Sequence, residues 1–183
     1  MVIQGMQLYT DALRKSRLQS NYQIRRIQRK DYAKVARVIR DVTTEFQATG
    51  KGYSIDDIDV GDMYSCYRAI RSYYYVPILN DTVVGCGGFA ALTGGGKVTC
   101  ELRKMFLLPQ TRGLGLGHRL LTMLLNEARK CGYKKCYIET LDRMWRANEF
   151  YKKNGFKLLD SPQGKIGHCR CDRWYLLSLC YQT

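Results

Sequence analysis

Apolar residues recur along the chain with two different periods. Between Asp31 and Phe46, the residues Val35, Val38, Ile39, Val42 and Phe46 fall at i, i+3, i+4, i+7 and i+11, the buried stripe of a helix with Asp31 as its N-cap. The spacing returns after Leu116, where Leu120, Leu121, Leu124, Leu125 and Ala128 share a face and Gly132 ends the run. Ala147, Phe150 and Tyr151 mark another helical face, opened by Asp142 and stopped by Asn154-Gly155. A further helix is expected from about Asp62 to Arg71. Elsewhere the pattern shortens to β-branched and aromatic runs at Tyr22 to Ile27, Tyr73 to Leu79, Thr82 to Ala91, Val98 to Leu108, Lys135 to Leu141 and Leu176 to Cys180. Asn80-Asp81 turns the second run into the third as a hairpin, and Pro77 points to an edge or a bulge. Gly85, Gly87 and Gly88 point to a close approach by other backbone or a ligand. Strand, helix and strand between Val98 and Leu141 make a βαβ unit with parallel pairing, and the class is mixed α/β.

Length and charge narrow this picture. A chain of 183 residues holds one domain, here residues 22–183, preceded by an extension over 1–21 whose apolar residues are scattered among charges. Thirty Lys and Arg against 16 Asp and Glu give +14, which attracts polyanions in general: nucleic acid, anionic membrane or a phosphorylated cofactor. Lys34, Arg37 and Arg40 lie off the first helical stripe and form either a solvated basic face or a nucleic-acid contact. The eight cysteines include no C-x-x-C pair and sit mostly in apolar stretches, which together with the lack of a secretory pattern fits a reducing cytoplasm. No apolar run approaches the ~20 residues of a membrane span.

The candidate chemistry centres on Pro109 to Arg119, where a strand gives way to a glycine-rich turn and a helix N-terminus. Glycines at 113, 115 and 117 let backbone N–H groups approach an anion, the helix dipole adds positive potential, and Arg112 and Arg119 add charge. Neither the dinucleotide pattern nor the nucleotide P-loop is present; the sequence reads R-x-x-G-x-G at Arg112, Gly115 and Gly117. Glu101, in the strand leading to this turn, is placed to accept a proton from an amine or else to pair with Arg103 or Lys104; alternation puts it on one face with Arg103 and Met105. Glu139 is a second candidate base. Asp56, Asp57 and Asp59 either face a cationic substrate or cap a helix. In the tail, His168, Cys169 and Cys171 lack a fourth ligand and the usual zinc spacing, so no metal is expected, and His168, Asp172 and Arg173 read as a substrate-facing loop in which an arginine grips a carboxylate.

R-x-x-G-x-G resembles the pyrophosphate loop of the GNAT superfamily of acetyl-CoA-dependent N-acetyltransferases. Downstream, Ala147 to Phe156 (ANEFYKKNGF) resembles the A-x-x-[FL]-Y-x-x-x-G-F segment that follows this loop in the same family. The resemblance covers roughly Tyr22 to Tyr181 and implies a central mixed sheet of roughly six to seven strands with about four helices. It also implies that acetyl-CoA is the cosubstrate. Main chain at Met105, Phe106 and Leu107 would line pantetheine and thioester, and Arg112, Gly113, Leu114, Gly115, Leu116, Gly117 and His118 would hold the pyrophosphate. Tyr151 would protonate the leaving thiolate. Glu101 stands eleven residues before Arg112, the offset of the base glutamate in the histone-acetylating branch, and is the preferred base. Met144 departs from the family, which often has a cofactor-contacting asparagine there.

The implied activity is direct transfer of acetyl to a primary amine. A small-molecule acceptor is favoured over a protein one, and homodimerisation is left open. The alternatives are a basic nucleic-acid-binding protein or a non-catalytic acetyl-CoA sensor.

Overall fold

The stripe between Asp31 and Phe46 becomes helix α1 (Tyr32–Glu45), with Val35, Val38, Ile39 and Val42 buried. The computed structural model describes residues 22–50, 52–53, 62–165 and 170–180. The extension 1–21 and the residues Asp56, Asp57, Asp59, His168 and Cys169 therefore lie outside the described residues. Asp31 stands at the N-cap of α1, but its side chain is used differently from the expected cap. It accepts from the Gln28 N–H at 2.8 Å across a 3-10 turn (Arg29–Asp31) and takes the Arg25 guanidinium on both oxygens at 2.7 and 2.9 Å. Burial alone would raise this carboxyl; the bonds from Arg25 and Gln28 outweigh it and hold the pKa below its ordinary value. Strand β1 (Tyr22–Arg26) is thereby fastened to the start of α1. Lys34, Arg37 and Arg40 are exposed on α1, as either reading of that basic face requires.

The hairpin forms as β2 (Tyr73–Leu79), a turn in which Asn80 and Asp81 take φ of 46° and 59°, and a returning strand split into β3 (Thr82–Val83) and β4 (Gly85–Ala91). Those left-handed residues make the turn twist with the strands. Two pairs of alternatives are resolved here. Pro77 is not at an edge, since β2 lies between β1 and β4; the Pro77 carbonyl accepts from Val84, where the returning strand is interrupted. At Gly88 the expected close approach is made by other backbone: a Cβ there would collide with the Tyr73 carbonyl as well as the Tyr74 ring.

Helix α2 covers only Met63–Cys66, capped by Asp62, instead of continuing to Arg71. Arg71 takes φ of 65°, donates to the Cys131 and Lys97 carbonyls and stacks on Tyr133, so tertiary fastening ends the helical path early. The remaining elements are β5 (Thr99–Leu107), α3 (Leu116–Lys130), β6 (Lys135–Thr140), α4 (Trp145–Lys153), β7 (Lys157–Leu159) and β8 (Arg173–Ser178). Asp142 does not cap α4, whose N-cap is Met144; it pairs with Arg173 at 2.9 Å.

The sheet runs β1-β2-β4-β5-β6-β8-β7 with the two-residue β3 beside β2, eight strands in all. β5 and β6 are its parallel pair, joined through α3 as the βαβ pattern requires, and the other pairings are antiparallel. Cys100 and Leu102 of β5 pack with Leu120, Leu121 and Leu124 of α3 on one face. Tyr74, Val76 and Cys86 pack with Val35, Val38 and Ile39 of α1 on the other. No disulfide joins two of the described cysteines.

Candidate active site

The last pairs joining β5 to β6 are Cys100 with Cys136 and Glu101 with Tyr137. Beyond them the strands part, and a cleft of about 900 Å³ passes through the sheet. One wall is made by Val42, Thr43 and Phe46 with Tyr53, and the opposite wall by Gly117, Ala147, Phe150 and Tyr151. Leu102 to Leu107 line the opening. On their β6 side these residues meet no strand, which leaves a row of backbone donors and acceptors facing the cleft.

A bulge lies in the middle of that row. Cys86 pairs with Phe106 and Gly88 with Arg103, so Lys104 and Met105 stand against the single residue Gly87. Lys104 takes φ of 47°, and its carbonyl accepts from Tyr74 Oη at 3.2 Å and Cys86 Sγ at 3.4 Å. The extra residue turns Met105 to the α3 face, where it packs against the Leu120 cluster. The expectation that Met105 shares a face with Glu101 and Arg103 is therefore corrected; strict alternation fails at the bulge.

The glycine turn meets the cleft at its mouth. Gly113 and Gly115 take φ of 75° and 77°, and Gly115 is the N-cap of α3 with no side-chain cap. The N–H groups of Leu116, Gly117 and His118 open the helix and have no intrahelical partner. Arg112, Gly113, Gly115, Gly117 and His118 line the cleft, whereas Leu114 and Leu116 bury their side chains and leave only main chain for a ligand. Arg112 is already committed: its two terminal nitrogens hold Glu45 at 2.6 and 2.7 Å, and Nε donates to the Leu107 carbonyl at 2.9 Å. His118 Nδ1 lies 3.0 Å from Asn154 Oδ1, and because Asn154 Nδ2 donates to the Phe150 carbonyl, it is the imidazole that donates.

Both candidate bases line the cleft. Glu101 is 2% exposed and accepts from Arg103 Nε at 2.6 Å. Glu139 accepts from Tyr137 Oη at 2.7 Å, and burial followed by this carboxylate raises the Tyr137 phenol, against the Gln163 N–H. Tyr151 is 5% exposed, packed among Phe150, Phe156 and Tyr175. Burial pushes its pKa up, so the phenol keeps its proton.

Tail residues depart from the sequence reading. Asp172 accepts from the Asp142 N–H at 2.7 Å and Arg173 pairs with Asp142, so both are spent on the β6–α4 corner. Cys171 lines the cleft; among the described residues no group of three or more His, Cys, Asp or Glu is placed to hold a metal ion. No described helix is long and apolar enough to cross a membrane.

Three residues escaped the sequence reading. Glu45 ties α1 to the glycine turn, and Tyr53 lines the α1 wall. Asn148 donates to the Leu141, Asp142 and Met144 carbonyls and accepts from Tyr175 Oη at 2.9 Å. A polar residue directly after Ala147 in an amphipathic helix was its only signal.

A mixed sheet split beside one short parallel pairing, with a glycine-capped helix N-terminus at the mouth, defines a cleft for an extended anionic ligand. The acetyltransferase (GNAT) domain family matches residues 71–158. The uncharacterised N-acetyltransferase YjgM of Escherichia coli K12 is 39% identical over 150 residues, 81% of this chain and 90% of that protein. Among solved structures, a GNAT-family acetyltransferase from Staphylococcus aureus Mu50 superposes with a TM-score of 0.78 at 22% identity, covering 87% of this chain and 99% of that one. The acetyltransferase yncA from Salmonella typhimurium, solved with its cofactor acetyl-CoA, gives 0.70 at 21% identity, covering 87% and 94%. The chain belongs to the GNAT acetyltransferase family.

Proposed function

We propose that this protein transfers the acetyl group of acetyl-CoA directly to the primary amine of a small molecule, with Glu101 accepting the amine proton and Tyr151 donating one to the leaving sulfur. One observation carries the reading. The sheet opens immediately after the Glu101 and Tyr137 rung, so a single cleft runs past Glu101, along the unpaired stretch of β5 and past Tyr151.

The residues fit the cofactor. The uncapped N-terminus of α3 and the left-handed turn at Gly113 and Gly115 suit a pyrophosphate, and the free side of Met105, Phe106 and Leu107 suits the amides of pantetheine. Leu114 and Leu116 contribute main chain only. Arg112 supports the loop by holding Glu45 and the Leu107 carbonyl. When bound, acetyl-CoA supplies an acetyl group activated as a thioester.

An amine attacks only when neutral, hence the need for a base. Cys100 and Leu102 face α3, so Glu101 faces the α1 wall, where the amine enters. Its carboxylate, oriented by the bond from Arg103 Nε, takes the proton, through a water where the amine is out of reach. Tyr151, on the opposite wall, is kept protonated by burial and donates to the sulfur as negative charge develops there.

The test is release of free CoA thiol across an amine panel, repeated with Glu101→Gln and Tyr151→Phe. Release by the wild type and loss in both variants is expected. Acetyl-CoA binding without turnover on any amine would favour a sensor, and salt-sensitive nucleic-acid binding without acetyl-CoA affinity would favour the basic binding protein.

A further inference from the structure

We infer that the acceptor carries a carboxylate beside its amine, and that Tyr53 and Arg143 recognise it at the α1 wall of the cleft. The inference rests on the acetyl-transfer reading above. Tyr53 lines the cleft. Arg143 Nη2 donates to Tyr53 Oη at 3.1 Å and to the Gln47 carbonyl at 3.0 Å. With its oxygen accepting from a guanidinium, the phenol must aim its own O–H at another acceptor.

A second guanidinium stands on the same ring. The guanidinium carbons of Arg143 and Arg170 lie 5.6 and 5.8 Å from the Tyr53 centroid. Among the described residues neither arginine has a carboxylate within 4.0 Å. The carboxylates around them are engaged elsewhere: Asp142 with Arg173, Glu45 with Arg112, Glu101 with Arg103 and Glu139 with Tyr137. Through Tyr53 the α1 wall of the cleft is therefore backed by two guanidiniums, neither with a described carboxylate within 4.0 Å. A second ammonium on the acceptor would be repelled there, and a carboxylate would gain charge-assisted hydrogen bonds from Tyr53 and Arg143. The same field disfavours the ammonium form of the acceptor, which keeps the nucleophile neutral.

Two measurements separate this inference from the transfer reading. In the first, the N-acetyl derivatives of several amino acids and their matched carboxamides are titrated calorimetrically into the protein with CoA present, which needs no turnover. Acids binding about tenfold or more tighter than their amides are expected, with the ratio falling towards one in Arg143→Gln and Tyr53→Phe. A merely structural role would weaken acid and amide alike. The inference is overturned if no acid in the panel binds more tightly than its amide. In the second, CoA release is compared for the free amino acids, their carboxamides and spermidine. Preference for spermidine or equal use of acid and amide also overturns it. Discrimination in binding with no CoA release from any amine would sink the transfer reading and leave the carboxylate site standing.

Discussion

Glu101 of β5 and Tyr137 of β6 are partners on the last rung that joins the two strands, and the cleft opens directly beyond them. That rung brings two carboxylates to one place, because Tyr137 donates to Glu139 two residues on, while Glu101 accepts from Arg103. Their surroundings differ. Glu139 takes a neutral phenol and is half-buried, whereas Glu101 is buried and takes a guanidinium.

The proposed base is therefore separable from its neighbour by substitution. Glu101→Gln is expected to lower kcat/KM by about 10²-fold or more at neutral pH, with the loss shrinking as pH rises and solvent deprotonates the amine. Glu139→Gln should cost less than about tenfold, since it removes one acceptor from Tyr137 and leaves the proton path intact. CoA release followed from pH 6.5 to 9.5 checks both; a larger loss in Glu139→Gln would move the base to that residue.

The glycines of the turn are not equivalent. Gly115 takes φ of 77°, and a Cβ there meets no protein atom within 4 Å, so it would project into the open mouth of the cleft. Gly115→Ala should cost about 1 kcal/mol through backbone strain and weaken acetyl-CoA binding. Gly117 lies in the first turn of α3 with ordinary φ, and its Cβ would touch Leu107 Cδ1 at 3.4 Å. Gly117→Ala should be neutral or stabilising by about 0.5 kcal/mol, as expected for alanine in a helix. Urea unfolding together with acetyl-CoA titration distinguishes the two outcomes.

The elements read correctly from sequence are those whose signal is local. α1, α3 and the Asn80-Asp81 turn depend on periodicity and turn chemistry within a few residues. The glycine turn and Ala147 to Phe156 segment were legible because each is a short continuous motif. What escaped depends on residues far apart in the chain. Arg71 ends the α2 path by bonding to Cys131, Glu45 reaches Arg112 across 67 positions, and the bulge at Lys104 reflects how Tyr74 and Cys86 take its carbonyl. Asp142 illustrates the same limit: its position suggests a cap for α4, and it pairs instead with Arg173 of β8, beyond both α4 and β7.

Tyr151 gives a pH signature. Burial raises its pKa above the 10.0 of a free tyrosine, so the folded chain holds the proton more tightly than the unfolded one. The associated stability is complete below pH 10 and is lost as pH rises, because the unfolded state ionises first. Tyr151→Phe should flatten the decline in stability above pH 10 by up to about 1.4 kcal/mol per pH unit, the value of one proton. The same variant should lower kcat by about 10²-fold, and wild-type kcat should show no alkaline fall from this group below pH 10. Urea unfolding and initial rates between pH 8 and 11 test the two halves independently.

Asn148 supports the site without touching the proposed chemistry. Its amide nitrogen serves the Leu141, Asp142 and Met144 carbonyls, and its oxygen takes the Tyr175 hydroxyl, so one buried side chain closes the β6–α4 corner and ties it to β8. Asn148→Ala should cost about 3 kcal/mol, because the corner carbonyls and the Tyr175 hydroxyl are left with lost bonds in a buried place. Tyr175→Phe in the same chain removes the orphaned hydroxyl and should return part of that loss, giving a double variant more stable than the sum of the single effects. α4 carries Ala147 and Tyr151, so kcat should fall in Asn148→Ala even though Asn148 does not line the cleft. Strict additivity in urea unfolding of the four proteins would mean that the Tyr175 to Asn148 bond does not hold the corner.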